Sequence, residues 1–324
     1  MRIDVIVNTT ARRFRAKPAL LSRAALVCAG RAELHLTGSL AELEAACRRI
    51  AGRGTDLLVL SGGDGSFMAG VTTLVGALGE AALPKIALIP GGTAATVARN
   101  WGMNGDPIEL IRRVLRQTEA GASALRSTRR PTLRVRATTD EGPEERIGFI
   151  FGTGLVAKFF DLYYEDGGRG YGAAARIVAR IFAESFVDGA YARRVLDPLP
   201  CTVEVDGRSL ASPSWSLICA AVVPDLGIRM RVTYRAGEDP SRLHLVASPL
   251  SSRALGPRAP RVLAGRSIGG DGHFDDLVRE FRVRRDDGLP YVLDGDRLRA
   301  REVLVRAGPQ IDVLDPPGDG GRAA

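Results

Sequence analysis

The chain has few of the residues that staple or metallate a small protein. Its 324 residues include four cysteines and three histidines. Cys28, Cys47, Cys201 and Cys219 have no CxxC spacing, so neither a zinc site nor a redox motif is signalled, and reduced, buried thiols are expected. His35, His244 and His273 lie far apart and lack metal-ligand spacing, which leaves them structural roles. No apolar run reaches the roughly 18 residues that a membrane-spanning helix needs. The opening MRIDVIVNTT carries Asp4 and no long apolar core, so it reads as a first strand rather than a signal peptide. Internal repeats, the P-loop pattern GxxxxGK[ST] and the dinucleotide pattern GxGxxG are also missing.

What is present describes a folded, two-domain protein. Apolar residues make up 45% and charged residues 25%, so sizeable cores need no disulfide or metal. Lys and Arg total 45 against 37 Asp and Glu, a net charge of +8. That excess suits a phosphate-bearing ligand or an anionic membrane as well as nucleic acid. No nucleic-acid motif accompanies it, so nucleic acid is not an expected partner.

Over about the first 120 residues, apolar strand runs alternate with amphipathic helices. Ile3 to Val7, Ala32 to Leu36, Asp56 to Leu60 and Ile86 to Ile89 read as strands, and Ser39 to Ala51 as a helix with Leu43, Ala46, Cys47 and Ile50 on one face. The alternation predicts an α/β domain with a parallel sheet. Residues 126–131 read as a linker. Beyond it, β-rich runs between Gly, Pro and Asp turns predict a mainly antiparallel β domain with one helical insert near Ala173 to Ser185. The expected organisation is 1–125 for a nucleotide-binding catalytic domain and 126–302 for a β-rich substrate domain. Residues 303–314 return to the first domain, and 315–324 form a disordered tail.

Two glycine turns sit at the carboxyl ends of predicted parallel strands, Ser61-Gly62-Gly63-Asp64-Gly65-Ser66 and Pro90-Gly91-Gly92-Thr93. Glycines let backbone N–H groups approach a phosphate, and the following helix N-terminus adds partial positive charge. Gly62, Gly63 and Gly65 would form the cradle, with Ser66 and Thr93 offering hydroxyls. Asp64 is unusual there, because a carboxylate repels phosphate unless a magnesium ion or a basic side chain intervenes. A turn or capping role is its plainer reading.

SGGDGSF followed by IPGGTAATVARNWGM resembles the diacylglycerol kinase catalytic-domain family, whose fold is similar to that of NAD kinases and phosphofructokinases. The resemblance implies an α/β N-terminal domain, a mainly antiparallel C-terminal domain, and an active site in the cleft between them. Asn8 and Thr37 fall where the family has residues after strands one and two, and Asp294-Gly295-Asp296 resembles its late Asp-Gly-Glu motif. By this resemblance ATP binds through Asn8, Thr37, Gly62, Gly63, Asp64, Gly65, Ser66, Gly92 and Thr93. Asp64, Asp294 and Asp296 are catalytic, with Asp294 the base or sharing that work with Asp296. Asp239 is a candidate magnesium ligand, although Pro240 stands where the family has glycine. The resemblance also implies ATP with Mg²⁺, a membrane-lipid substrate, a cytoplasmic chain docked on an anionic membrane surface, and a homodimer as an open possibility. Alone, Asp294-Gly295 is also a favoured hairpin dipeptide.

Departures from the family pattern fall around the acceptor. Met68 and Ala69 replace an Asn-Glu pair, Ala95 and Thr96 replace Asn and Asp, and no acid follows Gly152-Thr153-Gly154 directly, although Asp161, Glu165 and Asp166 lie downstream. The expected activity is an ATP-dependent lipid kinase acting on a diacylglycerol-like hydroxyl. A ceramide or sphingoid-base kinase is the nearest alternative, followed by an NAD kinase-type metabolite kinase and a non-catalytic lipid or nucleotide sensor. The aromatic run Phe159 to Tyr164 and the cluster Arg126, Arg129, Arg130, Arg134 and Arg136 are candidate contacts for acyl chains and anionic headgroups.

Overall fold

The computed structural model describes residues 1–316 except 93, 120, 122–124, 166, 168–169 and 188. The expected disordered tail therefore falls mostly outside the described residues. The chain forms two compact units, one of residues 1–130 with the C-terminal segment from Gln310, and one of residues 131–309.

In the first unit, strands β1 (Ile3–Asn8), β2 (Glu33–Thr37), β3 (Leu57–Gly62) and β4 (Lys85–Pro90) alternate with helices α1 (Arg12–Ala16), α2 (Ala19–Cys28), α3 (Leu40–Arg53) and α4 (Asp64–Leu78). Helices α5 (Thr96–Asn100) and α6 (Pro107–Glu119) follow, then strand β5 (Ser127–Arg130). All six residues of β3 are buried, as befits a central parallel strand covered on both faces. Helix α3 begins where the sequence says it should. The Ser39 hydroxyl accepts the Glu42 N–H at 3.2 Å, and the Glu42 carboxylate reaches back to the Gly38 N–H. Leu43, Ala46, Cys47 and Ile50 are its buried face.

The sheet order is β2-β1-β3-β4, then the C-terminal strand, then β5. Segment 126–131 is thus an edge strand over most of its length. Ser127–Arg130 runs antiparallel to Ile311–Leu314, which itself lies parallel to β4. A linker and this strand look alike in sequence, because Ser-Thr-Arg-Arg has no apolar alternation and gains its place through edge pairing, a Thr128–Asp315 hydrogen bond and Arg130 over the Trp101 ring.

The second unit is built on a ten-stranded antiparallel sheet. Its strands are β6 (Leu133–Thr139), β7 (Gly142–Gly148), β8 (Ile150–Gly154), β9 (Leu199–Pro200), β10 (Thr202–Val205), β11 (Arg208–Ser209) and β12 (Ser214–Trp215), of which β9 and β12 form a separate small pair. Then come β13 (Leu217–Ala221), β14 (Leu243–Ser248), β15 (Phe274–Val278), β16 (Glu280–Leu293) and β17 (Asp296–Ala307), before β18 (Ile311–Leu314) rejoins the first unit. Three helices follow β8 where one was expected: α7 (Leu155–Glu165), α8 (Gly170–Ser185) and α9 (Ala190–Leu196). They bury Leu162, Ile177, Val195 and Leu196 against Leu217, Cys219 and Val246 of the sheet. Short helices α10 (Ser252–Leu255) and α11 (Ala259–Leu263) add Leu255 and Val262 to this core. All four cysteines are buried and free.

Candidate active site

The chain moves from β1 outward to β2 and then crosses back to β3, so the strand order reverses between β1 and β3. Ligands of open α/β sheets bind outside the carboxyl ends of the strands at such a switch point. Those ends carry Asn8 and Ser61-Gly62. The Asn8 Nδ2 donates to Ser66 Oγ at 2.8 Å, which ties the end of β1 to the first turn of α4, and Asn8 Oδ1 accepts the Thr10 N–H at 2.9 Å. Thr37 sits one strand over with its side chain buried, and its carbonyl accepts the Thr9 N–H at 2.8 Å. It shapes the loop after β1 through its backbone.

The two glycine turns are one structure. Gly62 O accepts both the Gly91 and Gly92 N–H groups, at 2.8 and 2.9 Å. A Cβ on Gly92 would lie 2.7 Å from Gly63 Cα, so the turns touch backbone to backbone and no side chain fits between them. Helix α4 starts at this junction. Its Ser66 and Phe67 N–H groups bond to Gly63 O, whereas those of Asp64 and Gly65 have no acceptor among the described residues. Beside them the Ser61 hydroxyl is buried without a partner. Free N–H groups at the head of a 15-residue helix, with an unmatched hydroxyl next to them, are a donor set suited to a phosphate.

Asp64 faces the other way. Its Oδ2 accepts the Thr96 N–H at 2.8 Å and its Oδ1 the Val97 N–H at 3.0 Å, so it caps α5 and ties the second turn to the first. Burial raises its pKa, and these N–H groups together with Arg99 act against that rise. The residue entering α5, Ala95, has a left-handed backbone at φ +44°, a conformation that a side chain disfavours. Thr93 lies outside the described residues. The sequence reading missed two supports. The Arg13 N–H donates to Gly91 O at 3.1 Å, and the Phe14 ring lies where a Gly91 side chain would go. The apolar Phe14 within an arginine-rich stretch was the available signal.

In the second unit, Asp294-Gly295 is the two-residue turn of the β16–β17 hairpin. Leu293 pairs with Asp296, and both turn residues have positive φ, +51° and +92°. This is the geometry for which Asp-Gly is favoured. The Asp294 carboxylate reaches across to the break between β7 and β8, accepting the Phe149 and Ile150 N–H groups at 3.0 Å each, while its own N–H donates to Ile150 O at 3.0 Å. Gly148 leaves the room for this, since a Cβ there would lie 2.6 Å from Asp294 Oδ2. Asp296 is exposed, and its carboxylate makes no hydrogen bond among the described residues. The surrounding protein still raises its pKa by desolvation, with Arg146 opposing.

A pocket of about 330 Å³ opens beside this hairpin, lined by Ala157, Asp161, Tyr291, Arg297 and Leu298 among others. Arg297 bonds Asp161 at 3.2 Å and stacks over Tyr164, whose hydroxyl donates to Gly295 O at 3.2 Å. The aromatic run is therefore one helix, α7, with Phe159 and Tyr163 turned to the core and Tyr164 to the hairpin. Glu165 pairs with Arg194, and Asp166 lies outside the described residues. Asp239 caps a turn. Its Oδ1 accepts the Ser241 N–H and hydroxyl at 2.8 and 2.7 Å, and Oδ2 meets Arg242 at 3.4 Å. Among the described residues it joins no group of three metal-ligating side chains. The one such group, Asp4, Glu33 and His35, lies at the amino-end half of β1 and β2, away from the turns.

Residues 2–126 match the diacylglycerol kinase catalytic domain. That match spans β1 through α6 and holds both glycine turns, so the phosphate-suited donor set lies within the matched region. No curated relative matches the chain by sequence. Three solved structures from Bacillus anthracis str. Sterne share the fold over both units. One, described as a diacylglycerol kinase, has a TM-score of 0.62 at 13% identity, covering 98% of this chain and 97% of that one. Two described as putative diacylglycerol kinases have TM-scores of 0.65 and 0.63 at 15% identity, over 98% of this chain and 97% and 99% of theirs. At such identities the likeness is one of fold. It agrees with a parallel-dominated first sheet and an antiparallel second one.

Proposed function

We propose that the chain is an ATP-dependent lipid kinase that transfers the γ-phosphoryl group to a lipid hydroxyl, with a diacylglycerol-like glycerolipid as its acceptor. The observation that carries this reading is the paired glycine turn at the β1–β3 switch point, with the free N–H groups of Asp64 and Gly65 inside a region matching the diacylglycerol kinase catalytic domain. Phosphoryl transfer asks a protein mainly for positioning and for neutralising charge. The turns position the phosphates, the head of α4 supplies partial positive charge, and Asn8 fixes the Ser66 hydroxyl beside them. Asp64 works through the backbone by holding the second turn in place.

The acceptor hydroxyl must lose a proton. The Asp294–Asp296 hairpin supplies two carboxylates with different properties: Asp294 is pinned by two N–H donors, and Asp296 is open to solvent with a raised pKa. On this reading Asp294 sets the direction of the hairpin and the pair shares the proton. Magnesium accompanies ATP in such kinases and neutralises its phosphates. Asp64 and Asp239 do not offer themselves as open ligands, because N–H, hydroxyl and guanidinium donors already occupy their oxygens.

The test is transfer of labelled γ-phosphate from ATP with Mg²⁺ to mixed-micelle diacylglycerol, monoacylglycerol, phosphatidylglycerol, ceramide and sphingosine, with NAD as the soluble control. Label in diacylglycerol supports the reading, and label in ceramide or sphingosine moves the acceptor class. Label in NAD, or ATP binding without transfer to any of these, overturns it in favour of a metabolite kinase or a sensor.

A further inference from the structure

The +8 charge is not spread evenly. Two stretches of the second unit, residues 226–235 and 251–270, together hold seven arginines and no acidic residue. They pack on one another. Leu226, Met230 and Val232 of the first lie against the same core as Leu255, Val262 and Ile268 of the second. The Arg231 side chain also runs past Gly265, where a Cβ would meet its Cδ at 3.4 Å. Arg229, Arg231, Arg261 and Arg266 are exposed, and none has a carboxylate partner within 4 Å among the described residues. This contrasts with arginines elsewhere, such as Arg134 with Glu145 and Arg297 with Asp161.

Apolar side chains protrude at the same end of the helical layer. Phe186 is 55%, Val187 74% and Leu263 52% exposed. Phe186 and Val187 follow α8, whose last residue Ser185 packs directly on Gly256, just before α11. Phe182 stacks edge-on against Phe186 at 5.0 Å, making a firm aromatic knob. The nearby Glu184 is engaged by Arg180 at 2.8 Å and does not neutralise the patch. Exposed aromatic and aliphatic side chains beside arginines that no carboxylate neutralises suit an anionic bilayer, where the apolar groups enter the interface and the guanidinium groups meet lipid phosphates. Nucleic acid would use the arginines but leave Phe186, Val187 and Leu263 in water.

We propose that this face, formed by Arg229, Arg231, Arg261 and Arg266 with Phe186, Val187 and Leu263, docks the protein on an anionic lipid bilayer. The proposal rests on the lipid kinase reading for its purpose, since the acceptor lies in a membrane. It also moves the docking role away from the Arg126–Arg136 cluster suggested by sequence. Arg129 and Arg130 belong to β5 of the first unit, with Arg130 over the Trp101 ring, whereas Arg134 of the second unit pairs with Glu145.

Vesicle flotation without ATP tests the surface independently of turnover. The intact chain should float with phosphatidylcholine–phosphatidylglycerol vesicles, weakly with phosphatidylcholine alone, and less as salt is added. Each arginine near an anionic surface is worth about fivefold in partitioning, so replacing all four with Gln should cost more than about a hundredfold. Phe186→Ser, Val187→Ser and Leu263→Ser together should cost about tenfold or more and leave the salt dependence in place. A control with the same charge loss elsewhere, Arg23→Gln, Arg49→Gln, Arg136→Gln and Arg208→Gln, should keep most binding. If the control loses as much as the quadruple variant, net charge rather than this face drives binding and the proposal fails. It also fails if the intact chain prefers an oligonucleotide to vesicles, or if neither set of variants lowers flotation. A chain that phosphorylates micellar lipid but does not float overturns the surface alone. A chain that floats through this face but transfers no phosphate supports it and overturns the kinase reading.

Discussion

Asp64 in the first unit and Asp294 in the second do the same thing with different reach. Each places its two oxygens on consecutive backbone N–H groups, those of Thr96 and Val97 in one case and of Phe149 and Ile150 in the other. Asp64 spans 32 and 33 residues and caps a five-residue helix. Asp294 spans 145 and 144 residues, sits in a left-handed turn, and locks a hairpin to the break between two other strands. The first bond set organises a loop, while the second organises a sheet. Fixed aspartates can therefore prepare a site without touching a substrate, and the cost of losing one depends on how much structure hangs from it.

Asp294→Ala should show the largest effect. It takes the carboxylate from one buried and one half-buried N–H group, and an orphaned N–H costs about 1–3 kcal/mol, so the unfolding free energy of the second unit should fall by about 3 kcal/mol. Asp294→Asn keeps one acceptor oxygen and should lose about half as much. Under the proposed function both should lower kcat more than about a hundredfold, whereas Asp296→Asn should change the acid limb of the pH–rate profile with little loss of stability. Denaturant unfolding beside micelle assays separates the two. If Asp294→Ala unfolds like the parent chain, its carboxylate does not hold the sheet and the contrast with Asp64 collapses.

Asp64 should give a smaller loss, about 2 kcal/mol for Asp64→Ala, because the helix it caps, α5, is only five residues long. It also carries a pH signature. Burial raises its pKa, so the folded chain holds this proton more tightly than the unfolded chain does. Its contribution to stability is therefore present below the ordinary aspartate value and is lost as pH rises through the raised folded value. Asp64→Asn should flatten that part of the stability profile above about pH 4. An unchanged slope in urea unfolding between pH 4 and 7 would mean that Asp64 ionises as freely as in the unfolded chain.

The same contrast explains what could be read from the sequence. In the first unit the signals are local. The buried run Leu57 to Leu60, the Ser39–Glu42 cap and the glycines after β3 and β4 announce strands, a helix start and turns within a few residues of where they act. Ser127–Arg130 reads as a linker because its partners are remote, an edge pairing with a strand more than 180 residues later and a bond from Thr128 to Asp315. In the second unit, α7 is an apolar and aromatic run, Leu155 to Tyr164, that does not distinguish helix from strand by pattern alone. Its aromatics stand out in the sequence, and its helix does not. Asp294-Gly295 was legible as a turn. Its anchoring to Phe149 and Ile150 was not, since nothing in either segment marks the other. Asp239 shows the reverse error: an acid singled out by resemblance serves its own turn, through Ser241 two residues away.

The smallest effect belongs to the bond that joins β1 to the head of α4 at the switch point. Asn8→Ala removes the 2.8 Å bond to Ser66 Oγ and the two bonds that Asn8 Oδ1 accepts from Thr10, whereas Ser66→Ala removes only the first. Neutral hydrogen bonds of this kind are worth about 1 kcal/mol, so Ser66→Ala should cost about that and Asn8→Ala slightly more. The double variant should cost less than the sum, with a coupling of about 0.5–1 kcal/mol that isolates the Asn8–Ser66 bond. Nucleotide affinity provides the second axis. If the bond holds Ser66 toward phosphate, both single variants should weaken ATP binding by a similar factor, and the double variant should weaken it hardly further. Additive losses in affinity would mean that the two side chains meet the nucleotide separately. In that case the switch point would be assembled by the ligand rather than prepared before it arrives, unlike the Asp294 hairpin.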